Sequence, residues 1–248
     1  MKRTTAPCAG SGLTGNSRVD LFYVELLTNY LVNTVMHRKG LPVNTKMKKP
    51  ESIARILDAA RGEFAENGFS GARVDAIAER AGVNKALLYY HVGGKAALFE
   101  RVLHNTIGNL AKTLEAIIKP VADPVEKLKL YVRSVLGTVC SNPQIPSILI
   151  QELSSGARHL PEQTARDFAS LFNLITDIIE GGVRAGVFRD TAPVLIHFMI
   201  LGPAIFHPRV SELSERYDSL ADPQRLEKNF SISLEKEIEK LVLQAVCV

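Results

Sequence analysis

Apolar residues return along this 248-residue chain at intervals of three and four, the spacing of a helix with one buried face. Ile53, Ile56, Leu57, Ala60 and Phe64 form such a face on a first helix that begins near Glu51, after Pro50. Asn67-Gly68 ends it, with Gly68 at the left-handed position past the last turn and Phe69 folding back on that turn. A second, short helix is predicted from Val74 to Ala81, with Ile77 and Ala78 inward. Gly82 makes a sharp turn and Val83 plugs the corner. Asn84 then caps a third helix running to about His91, anchored by Leu88.

The order matters: a small residue, a turn glycine, a corner hydrophobe, then a buried anchor. Two helices that cross steeply need it, and it leaves the outer face of the second helix free to enter the major groove of DNA. Lys85, Leu87, Tyr89, Tyr90 and His91 lie on that face, with Lys95 just beyond. Amines, hydroxyls and an imidazole suit phosphates and base edges. Of two adjacent tyrosines on so short a helix, one is expected to pack and the other to present its hydroxyl.

The block VDAIAERAGVNKALLYYHVGGKAALFERV resembles the DNA-binding domain of the TetR family of bacterial transcriptional repressors. The IAERAGV turn, the LYYH helix and the spacing from His91 to Lys95 carry the resemblance, together with Ala59, Ala60, Phe64 and Asn67 to Phe69 upstream. It covers about fifty residues in detail. It implies that Tyr90 and Lys95 hold backbone phosphates and that Lys85, Ala86, Leu87, Tyr89 and His91 face the groove. Two positions depart from the pattern. Ala72-Arg73 stands where a small hydroxyl residue is usual, so Arg73 is the candidate phosphate ligand there. Leu87 replaces a small residue or Thr and offers an apolar contact to a thymine methyl.

The pattern behind this unit is also helical. Ala96 to Ile118 reads as one long helix with Leu98, Phe99, Val102, Leu103, Leu110, Leu114 and Ile117 on its stripe. Val125–Cys140, Ile145–Ser155, Glu162–Arg184, Ala192–Phe206 and Leu234–Val246 follow, the last with Leu234, Ile238, Leu241 and Val242 inward. Residues 208–233 read as polar and irregular. The expected fold is therefore all-α. An extension, 1–49, is expected to be largely disordered, with a candidate helix at 20–36. A three-helix DNA-binding domain spans 50–110, with the helix-turn-helix at about 73–92. A helical bundle for dimerisation and ligand binding spans 111–248.

Helices 162–184 and 192–206 are apolar enough to be buried on more than one face. A second copy of the chain is the expected partner, forming a four-helix bundle across a two-fold axis. Such a homodimer would read a palindromic operator in double-stranded DNA. Tyr131, Phe168, Phe172, Met199 and Phe206, with His159 and His197, either line an apolar cavity for a small apolar or amphipathic ligand or are simply core.

Charge supports a polyanion partner for the front of the chain. Residues 46–95 hold nine Lys/Arg against six Asp/Glu, and residues 1–45 five against two, whereas residues 96–248 hold sixteen against eighteen. Cys8, Cys140 and Cys247 are scattered, with neither disulfide nor metal spacing, which points to a reducing cytoplasm. No metal or cofactor is expected, and no catalytic constellation, so the chain reads as a regulator and not an enzyme. No run of about eighteen uncharged apolar residues suggests a membrane span. Two functions remain open: a repressor released by a small molecule, or a DNA-anchored protein whose body recruits a protein partner.

Overall fold

The computed structural model describes residues 49–216 and 233–248. The leading segment with its helix at 20–36, the lysines at 46 and 48, and residues 217–232 lie outside the described residues. Helices occupy almost all of what is described. They are α1 (Lys49–Gly71), α2 (Val74–Ala81), α3 (Lys85–Val92), α4 (Lys95–Ile118), α5 (Pro124–Ser141), α6 (Gln144–Ser154), α7 (Glu162–Arg184), α8 (Pro193–Arg216) and α9 (Leu234–Val246). The one extended pairing among them is a single bridge between Phe188 and Cys247.

The chain boundaries follow local chemistry. Asp123 caps α5 by accepting from the Val125 N–H at 3.0 Å, and Pro124 sits in the first turn, where its missing N–H costs nothing. Two sequence expectations are corrected. Gly68 does break α1, at φ 64 and ψ 179, but this is the extended positive-φ region, not a left-handed cap. One further turn follows, to Gly71. The helix expected to stop near Phe206 runs on to Arg216 through Pro203 and Pro208. Both prolines are exposed, so their rings turn away from the core while the helix continues past them. Arg209 ties this stretch down, its guanidinium donating to the Ile205 carbonyl and, at 2.6 Å, to Ser147 Oγ.

The α1–α3 head is built on Ile56, Phe64, Ile77 and Leu88, all fully buried, and closes on α4 through Leu98 and Phe99. Phe64, Phe69 and Phe99 form an edge-and-stack cluster, with Phe99 edge-on to both others at 4.9 and 5.0 Å. Such contacts contribute about 0.5–1.5 kcal/mol each beyond the area they bury. Helix α4 runs without interruption from the head into the body, where it packs along α7. At that crossing a side chain on Gly108 would collide with His104, which donates from Nδ1 to Asp167 at 2.7 Å. Asp167 also accepts from Gln163 at 2.9 Å, so the α4–α7 seam carries a mostly buried polar clasp. Helix α6 lies against α1, and α9 closes the bundle on α5 and α8.

On α9 the buried face is Ile238, Val242 and Val246, at steps of four; Leu241, expected inward, falls to the side and is 53% exposed. Helix α8 presents a row of exposed apolar side chains at the same spacing: Val194, Phe198, Phe206 and Val210, with Gly202 in the middle. Its window Pro193–Val210 is long and apolar enough to cross a membrane by length and composition only. Its mean hydropathy is 1.3, and 22% of it is buried. His197, His207 and Arg209 interrupt that window, and the inward tether of Arg209 to Ser147 makes it an element of the bundle.

Candidate nucleic-acid interface and sensor cavity

Helix α2 starts at Val74 with Arg73 extended in the cap position and no side-chain cap of its own. The missing hydroxyl is replaced from a distance: the Arg73 N–H donates to Glu63 Oε1 at 3.1 Å. Glu63 is 5% exposed and sits on α1 beside Phe64. Sequence reasoning missed it, although an acid seven residues after Ile56, on the buried stripe, was the available signal. The Arg73 backbone is thus held while Arg73 itself stays exposed. Arg80 completes the α1–α2 joint with two bonds to Glu66, at 3.1 and 2.8 Å.

Gly82 turns the chain in the left-handed conformation, φ 63 and ψ 38, and the Arg55 guanidinium occupies the space a side chain would need. Asn84 then caps α3, its Oδ1 accepting from the Leu87 N–H at 2.6 Å. Leu88 and Val92, one turn apart, are the buried anchors. That phase places Tyr89 and Tyr90 about 100° and 200° round the helix, and neither packs: they are 46% and 78% exposed. The expectation that one would be buried is corrected by the Leu88–Val92 pair, which supplies the whole anchor.

Lys85 and Ala86 are exposed, and Leu87 and His91 are half-buried. Lys85 pairs with Asp75 of α2 at 2.7 Å, and this hydrogen bond raises the Lys85 pKa and lowers that of Asp75. The pair fixes a cation at the start of α3. His91 has its Nδ1 buried without a partner, while Arg101 of α4 donates to its carbonyl at 3.3 Å. Lys95, at the first position of α4, donates to the Ser70 carbonyl at 3.0 Å and lies over the Phe69 ring.

In the body, a cavity of ≈ 70 Å³ opens between α4, α5, α6, α7 and α8. Thr106, Leu149, Phe168, His197 and Leu201 are among its walls, and no charged side chain is. Of the residues proposed from sequence, Phe168 and His197 line it. Tyr131 stands behind His197, its oxygen 2.7 Å from His197 Nδ1 and its hydroxyl bonded to the Leu171 carbonyl at 3.2 Å. Phe172 packs its edge on His197 at 4.8 Å. Three are elsewhere. His159 stacks on Phe69, Met199 is half-buried against the core, and Phe206 is 58% exposed on the outer ridge of α8. Met199 and Phe206 each stand one residue, about 100°, from an inward position (Ile200 and Ile205), which an all-apolar helix does not reveal from sequence. Thr106 and Thr138 of the wall were also missed; neither breaks the helical pattern.

Burial pushes the His197 pKa down to about 4, and it raises that of the Tyr131 hydroxyl. The unfolded chain would therefore take up a proton at His197, near pH 6.5, that the folded chain refuses. Stability contributed by this site is present above pH 6.5 and is lost as pH falls from there to about 4. The total is on the order of 3 kcal/mol. Urea titrations across that range should show the slope, and His197→Gln should flatten it.

A short helix projecting from a three-helix head, with two exposed tyrosines and flanking cations, defines a helix-turn-helix DNA-binding protein. The family model for bacterial regulatory proteins of the tetR family matches residues 56–102, and that for the tetracyclin repressor-like C-terminal domain matches 124–216. The transcriptional regulator RutR of Escherichia coli is 33% identical over 162 residues, 64% of this chain and 76% of that protein. The transcriptional repressor SCO4008 of Streptomyces coelicolor is 32% identical over 59% of this chain and 72% of its own length. The solved structure of HlyIIR, a hemolysin II transcriptional regulator, has the same fold, with a TM-score of 0.60 and 20% identity over 81% of this chain and 99% of that one. The chain belongs to the TetR family and is a DNA-binding transcriptional regulator.

Proposed function

We propose that the chain is a homodimeric repressor that holds a palindromic operator in cytoplasmic DNA until a small, uncharged, mainly apolar molecule enters the cavity. One observation carries this reading. The cavity wall takes Thr106 from α4, Leu149 from α6, Phe168 from α7 and His197 from α8. Helix α4 continues from the head, α6 lies on α1, and α8 bears the exposed apolar ridge. A ligand that fits a changed spacing of these helices better than the DNA-bound spacing lowers operator affinity by that difference. The wall has no charge, and His197 is neutral near pH 7, so an ionised group would be buried unpaired.

At the DNA surface, Arg73, Tyr90 and Lys95 take backbone phosphates. Lys85, Ala86, Leu87, Tyr89 and His91 face the groove. Five of the ten large exposed hydrophobic residues among those described lie on α8, where a second copy covers them, so recruitment of another protein is the less supported role.

The test begins with a duplex selected by the protein from a randomised pool. Lys95→Ala should reduce the slope of log affinity against log salt by about one. A compound that raises the melting temperature should weaken operator binding about 5- to 150-fold. Leu149→Trp, which fills the cavity, should abolish that response. A compound that binds in the cavity and leaves operator affinity unchanged sinks the ligand-release reading.

A further inference from the structure

We infer that the Phe69–His159 stack positions Lys95 for its phosphate contact, so that the corner between α6 and α7 sets how firmly the head grips DNA. The inference rests on the reading of Lys95 as a phosphate ligand and adds the residues that aim it. A lysine side chain has four rotatable bonds and holds no position unaided. Here its ammonium is fixed by two contacts, the Ser70 carbonyl at 3.0 Å and the Phe69 ring at 4.9 Å from the centroid. Both belong to the turn that follows the break at Gly68.

Phe69 is placed in turn by three rings. Phe64 and Phe99 come from the head and α4, but the nearest is His159, from the body, 4.5 Å away and 21° from parallel. His159 is itself clamped. Its backbone N–H donates to Glu152 Oε1 at 2.5 Å, and its Nδ1 lies 3.4 Å from Glu152 Oε2. Glu152 is a carboxylate 4% exposed at the end of α6, and its carbonyl accepts from Ala157, which holds a left-handed φ of 55. A preceding residue, Gln151, donates to the Ala65 carbonyl at 2.7 Å, and its Oε1 occupies the space beside Gly68.

The chain of contact therefore runs Glu152, His159, Phe69, Lys95. Its first member sits on the helix whose other residues, Ile145, Pro146 and Leu149, wall the cavity. A shift of α6 changes the stack, and the stack changes where the ammonium points. Phe69 and His159 are positioning residues; Lys95 touches the phosphate.

The experiment is a double-mutant cycle on the full chain with the pool-selected duplex. His159→Ala should weaken binding about 3- to 10-fold and lower the salt slope, with the chain still folded at the assay temperature. His159→Phe, which keeps a stacked ring, should restore both. In a Lys95→Ala background, His159→Ala should have no further effect. Should His159→Ala unfold, His159→Leu keeps the volume without the stacked ring and reads the same cycle. Equal losses from the histidine substitution in both backgrounds overturn the inference, as does an unchanged slope in His159→Ala. An unchanged slope in Lys95→Ala instead removes Lys95 as a phosphate ligand, and the inference falls with it.

Discussion

Phe198→Glu is expected to leave the chain monomeric and to cut operator affinity roughly 10²- to 10⁴-fold, the gain that linking two half-site contacts provides. Phe198 is 56% exposed and stands on the α8 row between Val194 and Phe206. These side chains form a ridge at steps of four, and ridges of that kind pack into one another when two helices cross. Gly202, with nothing near the place where a side chain would stand, would let the two backbones of the proposed dimer approach at the middle. A carboxylate at position 198 would then be buried among the apolar side chains of the partner's ridge with no counter-charge. Sedimentation analysis gives the state of assembly, and titration of the selected duplex gives the affinity. A dimeric, operator-binding Phe198→Glu protein would move the interface away from α8.

The second large effect is expected in the fold itself. Gly182→Ala should cost about 1–3 kcal/mol, lowering the melting temperature by roughly 2–12 °C. A Cβ on Gly182 would stand 1.9 Å from the Phe188 ring and 2.5 Å from Phe188 Cγ, so the whole ring has to leave. Phe188 has little freedom to do so. Its strand-like segment is pinned to the C-terminal end of α9, with the Arg189 N–H donating to the Val246 carbonyl at 2.7 Å and the Val248 N–H to the Val187 carbonyl at 3.3 Å. The clash therefore loosens α9 from the bundle as well as α7. Calorimetry measures the loss, and Gly181→Ala, where the nearest atom is 4.0 Å away, is the control expected to change little.

Much of the fold was legible because most helices carry one apolar stripe and end at residues with a physical reason to end them, as at Asn84 and Gly82. Legibility failed where two signals conflicted. Proline usually stops a helix, yet Pro203 and Pro208 lie on the exposed face of α8 and the helix runs through both, tied down past them by Arg209. In a helix as apolar as α8, periodicity cannot separate the cavity wall, His197, from the outer ridge, Phe206. The two tyrosines went astray for a related reason, since the expectation counted aromatics without first assigning the anchor to Leu88 and Val92. Glu63 and His159 could not be matched to their partners because each acts on a residue of another element, Glu63 on Arg73 ten residues away and His159 on Phe69 across the chain. Local pattern carries no information about such pairings.

The cavity and the proposed DNA surface share helix α4 but no side chains. Substitutions at Val139, Leu149 or Leu201 alter what can enter the body and leave Lys85, Tyr89 and His91 untouched. On the proposed function, selection can therefore exchange one chemical signal for another while the controlled genes stay the same, or move the protein to a new operator while its signal is kept. The same separation makes the chain a practical starting point for engineered sensors.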